Sequence, residues 1–297
     1  MIKAVNFAVS NICSANCIYC PKDRGDNCSV SFMSLDTFES VVRNLNSSEF
    51  LANNKVRVVR LGENGDLFLN ENAIGMLRIA RKKFPYAAIE IYNHFYMMKP
   101  SICEVILKEK LVDSVFTNID GIEDSYEKVK KINFNTTMNN LCYFIEERDS
   151  MNLLIPVTVK ALTLRHYIDV VKTNFNTFPA YVSKELLKVS DDFLLIKKMF
   201  DKVLNKKMDK LIRSWVCMWG ERENLSKEKQ DRYACPMLFR NEREIFVAPD
   251  GRWYLCCMDS RQELVIGDLT KSKVCELVLS KKRSQHHCWL LFLSVVI

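Results

Sequence analysis

The sequence predicts an α/β fold built on a parallel sheet, and three observations predict it. Short strand-like runs alternate with stretches of helical periodicity from residue 3 to about residue 160. Polar, turn-forming segments such as Gly62-Glu63-Asn64-Gly65-Asp66 separate a run from the helix after it. Each parallel pair needs a right-handed crossover, and an amphipathic helix provides it by covering a sheet face. At 297 residues, 48% hydrophobic and 27% charged, the chain buries a large core, enough for one barrel-sized domain and a smaller appendage. Periodicity does not say whether the sheet closes.

Taken in order, residues 3–9 alternate apolar and polar side chains as a strand, and a cysteine-rich loop runs from Asn11 to Asn27. Ser34 N-caps a helix to about Leu45, with Phe38, Val41, Val42 and Leu45 on its apolar face. A strand at Val56–Leu61 ends in the Gly62–Asp66 turn, and Ile74, Leu77, Ala80 and Phe84 mark the next helix. There follow a strand at Ala88–Tyr92, a helix at Ser101–Lys110, a strand at Ser114–Asn118, a helix around Ser125–Ile132 or later, and a strand at Leu153–Val159. From about Thr163 to Lys229 the strand signal gives way to a Lys-rich, helical pattern. Residues 235–280 return to turns and short β-like runs, and Pro249-Asp250-Gly251 between two of them reads as a hairpin turn.

The charge of +7 is modest and interspersed, which permits an anionic substrate but gives no nucleic-acid signal. Lys206, Lys207 and Lys210 read as a solvated helix face. Met1–Ser10 has no secretory pattern, so a cytoplasmic location is expected, and no stretch has the length of a membrane span. Among twelve Cys in a reducing compartment, clustered thiols point to metal ligation rather than to disulfides. Cys28, Cys103 and Cys142 fall on unrelated elements and read as buried structural thiols.

Cys13-Ser-Ala-Asn-Cys17-Ile-Tyr-Cys20 places three thiols on one loop after the first strand, with no His nearby in sequence. A zinc site wants four ligands in paired knuckles. Three thiolates without an evident fourth instead leave one iron of a cubane open to an outside ligand. The C-x3-C-x2-C pattern, with Tyr19 before the last Cys, resembles the signature of radical S-adenosylmethionine enzymes. That resemblance implies a 4Fe-4S cluster on Cys13, Cys17 and Cys20 whose open iron chelates S-adenosyl-L-methionine. Electron transfer then yields a 5′-deoxyadenosyl radical that abstracts a substrate hydrogen.

Under the same resemblance, Gly62 and Glu63 match part of a Gly-Gly-Glu-Pro segment that meets the amino group of the methionine moiety, with Leu61 and Asn64 departing from it. Asn93, Asn118 and Asp120 fall at strand ends, where barrels build sites, and are candidates for ribose or substrate contacts. Turn capping is the alternative at each. His94 reads as an acid or base, or as a satisfied structural histidine.

The second cysteine region, Cys235 with Gly251-x4-Cys256 and Gly267-Asp268, resembles the SPASM or Twitch extension, which implies an auxiliary iron–sulfur cluster ligated by Cys235 and Cys256. No later Cys-x2-Cys pair completes it, so the cluster is incomplete, uses Cys217, Cys257 or Cys288, or is lost, and two packed hairpin cysteines are the alternative reading of Cys235 and Cys256. Residues 286–297 end in an apolar tail unlike the family's ending.

The resemblance thus implies an α/β fold: a partial (β/α)6 TIM-like barrel over residues 1–200, then a small β-hairpin auxiliary-cluster extension over 201–285. It implies an enzyme that modifies a peptide or oxidises a small molecule, served by a reductant such as a flavodoxin or ferredoxin. The alternatives are a non-catalytic iron–sulfur or zinc binding module and a degenerate radical enzyme paralogue.

Overall fold

The computed structural model describes residues 1–17, 20, 31–52, 54–162, 193–214, 243–257, 259, 262 and 264–278. Two compact units emerge: Met1–Ile12, Lys22–Ile89 and Trp219–Ile297 form the first, and Cys13–Pro21 with Glu90–Met218 form the second.

In the first unit, β1 (Ala4–Phe7) is central, pairing in parallel with β2 (Val58–Leu61) on one side and with β7 (Glu244–Val247) on the other. All four β1 side chains are buried, as a strand covered on both faces requires. Its one polar residue, Asn6, is satisfied there: its amide donates to Glu244 Oε2 at 3.0 Å and to the Ile245 carbonyl at 3.2 Å, and its oxygen accepts from Arg60. Helix α1 (Leu35–Leu45) begins where Ser34 Oγ accepts the Thr37 amide, a cap worth about 1 kcal/mol. It buries Phe38, Val41, Val42 and Leu45, and the Phe38 ring meets Phe7 at 4.6 Å. A short α2 (Ser48–Leu51) follows, and α3 (Ala73–Lys83) packs beside α1.

The sheet turns antiparallel through β7, β8 (Arg252–Tyr254) and β9 (Val265–Asp268), with Asp250-Gly251 at the expected hairpin. Gly251 has φ +86, and a Cβ there would stand 2.5 Å from Thr270, so the turn accepts only glycine without rearrangement. Asn44 of α1 ties this C-terminal region down: its amide donates to the carbonyls of Leu269 and Ser272, and its oxygen accepts the Val274 amide.

Strand β3 (Ala88–Tyr92) runs across the division between the units. In the second unit it pairs in parallel with β4 (Ser114–Asn118), which pairs with β5 (Val157–Leu162), which pairs with β6 (Lys210–Ser214). The parallel α/β sheet read from the sequence is therefore present, and among the described residues neither unit's portion closes on itself. Helices α4 (Pro100–Lys108), α5 (Asp124–Lys130), α6 (Phe134–Ser150) and α7 (Phe193–Phe200) complete the described elements. Ile91, Val115, Thr117, Val157 and Val159 are buried on one sheet face, while Tyr92, Phe116 and Lys160 are half-buried on the other.

Four expectations need correction. The single helix around Ser125–Ile132 is two, because Lys131 adopts φ +58 and Asn133 Oδ1 starts a new helix by accepting the Thr136 amide. The last strand of the series starts at Val157 rather than Leu153; Leu154 is exposed, and Pro156 has no N–H to offer a ladder. Lys206 and Lys207 lie exposed in a turn and Lys210 opens β6, so they form no helix face. Cys103 is fully buried as read, but Cys142 on α6 is only half-buried, and Cys28 lies outside the described residues. Among the described residues no helix is long and apolar enough to cross a membrane.

Candidate functional site

The cysteine loop belongs to the second unit. Its anchor is Ala15, fully buried, and the Asn16 N–H donates to the Lys130 carbonyl at 2.9 Å. The Cys20 N–H donates to the Cys17 carbonyl at 3.0 Å, closing a tight turn between two of the thiols. Cys13, Cys17 and Cys20 are all half-buried, a state in which thiols stay reachable. Among the described residues no three His, Cys, Asp or Glu side chains stand assembled as a metal site. The donor chemistry still fits an iron–sulfur cluster: three soft sulfur donors within eight residues, and no carboxylate among them. Tyr19 lies outside the described residues.

Although sequence near the loop lacks a histidine, folding brings one there: His94 Nε2 is 3.4 Å from Cys13 Sγ and 3.2 Å from Ser14 Oγ. The turn carrying His94 is built by Asn93, whose side-chain oxygen accepts the Phe95 amide at 2.6 Å and supports Phe95 at φ +64. Asn140 of α6 holds the same turn, its amide donating to the carbonyls of Phe95 and Tyr96. Asn93 thus performs the turn-capping role, with its side chain buried. Asn118 sits half-buried at the end of β4.

Behind the loop, Asp120 and Lys130 form a 2.8 Å ion pair with both side chains at most 5% exposed. Asp120 is thereby engaged inside the protein. Burial of two charges is costly unless each satisfies the other, so the pair fixes Lys130, whose carbonyl holds Asn16. Tyr126 is buried beside it and donates its hydroxyl to Thr137 Oγ1. Burial, with the charges of Asp120 and Cys17, pushes this phenol up to about 12 against the opposing pull of Lys130 and the Thr137 hydrogen bond.

The Gly62–Asp66 turn belongs to the first unit. Gly62 has φ +92 and its N–H donates to the Phe7 carbonyl; Glu63 is half-buried. At Gly65 a Cβ would meet the Ser10 carbonyl oxygen at 2.4 Å and that of Ile12 at 2.7 Å, so only glycine lets the turn lie against the segment leaving β1. A Gly65→Ala variant is expected to lose about 1–3 kcal/mol of stability, the range for a backbone clash that must be relieved by movement, read as a lowered urea midpoint. Asn64, where the resembling motif has proline, donates its amide to the Tyr254 hydroxyl at 3.2 Å. Tyr254 is buried against Phe246, and burial together with the Glu63 charge pushes its phenol far up.

Cys256 follows β8, half-buried, and its carbonyl accepts the Asp259 amide. Cys257 packs on the cluster of Phe246, Ala248 and Tyr254. Cys235, Cys217 and Cys288 lie outside the described residues, as does the apolar tail.

Residues 235–292 match the family model of SPASM, an iron–sulfur cluster-binding domain. No curated protein sequence matches the chain. Among solved structures, anSMEcpe with bound AdoMet superposes with a TM-score of 0.58 at 12% identity, covering 94% of this chain and 82% of that one. SuiB of Streptococcus suis bound to its precursor peptide SuiA gives 0.56 at 11% identity, covering 94% of this chain and 64% of SuiB. BtrN in complex with AdoMet and 2-DOIA gives 0.50 at 12% identity, with 94% and 82% covered. The chain shares the fold of these three structures.

Within that fold, the cysteine signature and the hairpin were legible in sequence, whereas Lys130, Tyr126, Asn140 and Tyr254 were not. The last four act through contacts distant in sequence. Asn140 alone had a local signal, a polar residue that turns out buried midway along a helix.

Proposed function

We propose that this protein is a radical S-adenosylmethionine enzyme whose 4Fe-4S cluster is held by Cys13, Cys17 and Cys20. The observation that carries the reading is the loop of three half-buried thiols that follows β1 in the chain. When bound, the cluster and S-adenosylmethionine supply the reducing electron and the adenosyl radical that removes a substrate hydrogen. The chain's own residues orient these groups. Gly62 and Glu63 receive the methionine ammonium through a turn carbonyl and a carboxylate, and Tyr19 is a further contact to the cofactor. Asn118 contacts ribose or substrate, Asn93 shapes the turn beside it, and Asp120 secures the loop through Lys130. An auxiliary cluster takes Cys235 and Cys256.

The substrate is a peptide. Two of the structural neighbours are described with peptides, SuiB with SuiA and anSMEcpe with Cp18Cys peptide, and the SPASM match lies where the auxiliary extension was expected. A flavodoxin or ferredoxin donates the electron, in the cytoplasm.

Anaerobic reconstitution tests this. Four irons and four sulfides per cluster, with 5′-deoxyadenosine formed from S-adenosylmethionine under reduction, are expected. Zinc alone with no 5′-deoxyadenosine would establish a binding module instead. Iron at full occupancy without cleavage would mark a degenerate paralogue.

A further inference from the structure

His94 lies on the turn that follows β3, and the fold gives it a specific neighbour. Its Nδ1 lies 3.3 Å from the Tyr96 backbone nitrogen. A backbone N–H only donates, so Nδ1 is the acceptor, and the neutral imidazole carries its proton on Nε2. That Nε2–H points to Cys13 Sγ at 3.4 Å and Ser14 Oγ at 3.2 Å. The ring is not placed by chance. Its turn is secured by Asn93 from within and by Asn140 from α6, both buried, and Tyr96 packs its own ring 6.5 Å away.

We propose that His94 is a positioning residue that donates Nε2–H to the Cys13 sulfur and thereby raises the reduction potential of the cluster that sulfur ligates. The proposal rests on the reading of Cys13 as a cluster ligand. Its physical basis is general: a hydrogen bond to a cysteinyl sulfur stabilises the more negatively charged, reduced cluster, and such outer contacts also fix the orientation of the ligand. Ser14, adjacent in sequence, shares the donor and keeps the imidazole over the start of the loop.

Two measurements on the full chain test it. In cluster-free protein, long-range proton–nitrogen spectra are expected to show His94 protonated at Nε2, and Cys13→Ala is expected to shift its nitrogen resonances. An Nδ1-protonated His94, or resonances indifferent to Cys13→Ala, would overturn the contact. In reconstituted protein, an electron paramagnetic resonance redox titration is expected to place His94→Phe at a lower midpoint potential than the parent at equal iron content. His94→Gln, which keeps an N–H donor, stays nearer the parent. Equal potentials for the parent and His94→Phe would overturn the tuning role; a chain that takes up no iron would instead overturn the ligand assignment, with the nitrogen spectra still deciding the contact.

Discussion

Replacing Cys17 with alanine is expected to abolish S-adenosylmethionine cleavage and to remove the catalytic cluster's share of iron and sulfide. Cys17 is flanked by two backbone hydrogen bonds of the loop. Its neighbour Asn16 is bonded to the Lys130 carbonyl, and its own carbonyl accepts the Cys20 amide. Loss of that thiolate deprives a cubane of one protein-held corner, and residues 13–20 contain no carboxylate or imidazole to substitute for it. Cys103→Ala is the control. Its thiol is buried, donates to the Met98 carbonyl, and is pushed by burial up to about 12, so it is neither accessible nor readily ionised. Iron content and 5′-deoxyadenosine per chain read both variants, and retained cleavage in Cys17→Ala would remove the basis of the catalytic assignment.

The second large effect lies away from the chemistry. Arg148, fully buried on α6, meets Asp209 through two hydrogen bonds of 2.6 and 2.9 Å and donates to the Ile155 carbonyl. Asp209 in turn accepts the amides of Val157 and Asn205. The pair therefore couples the end of α6 to the starts of β5 and β6. Arg148→Met is expected to destabilise the second unit by about 3–5 kcal/mol, because it leaves the Asp209 charge buried without its counter-ion. Arg148→Met with Asp209→Asn is expected to recover part of that loss, since the amide removes the uncompensated charge while its oxygen still accepts a backbone N–H. Urea unfolding followed by circular dichroism measures both, and an unshifted midpoint for Arg148→Met would show the pair to be energetically idle.

How far the site was legible in sequence depends on which physical signal each part leaves. The C-x3-C-x2-C spacing is local, as is the Ser34 cap with its amphipathic helix, and both are present as read. The Pro-Asp-Gly hairpin is equally local, because φ +86 at Gly251 is a property of four consecutive residues. By contrast, Asp120 had the position of a rim residue but is buried against Lys130, and nothing in its neighbours announces an ion pair ten residues away. Asn93 carried both readings, and its hydrogen bond to Phe95 fills the capping one. The boundary between α5 and α6 was missed because the left-handed turn uses Lys131, where a glycine would have signalled it.

Alone, the sequence determined the alternation of strand and helix, the parallel sheet, the three-thiol loop and the hairpin that bears Cys256, since each is written in spacings of a few residues. Tertiary structure alone decided that His94 faces Cys13, that Lys130 holds Asn16, and that Tyr254 receives Asn64. Those contacts join residues separated by tens to nearly two hundred positions, where chain connectivity carries no information about distance and only the packing of the core brings the partners within reach of a hydrogen bond.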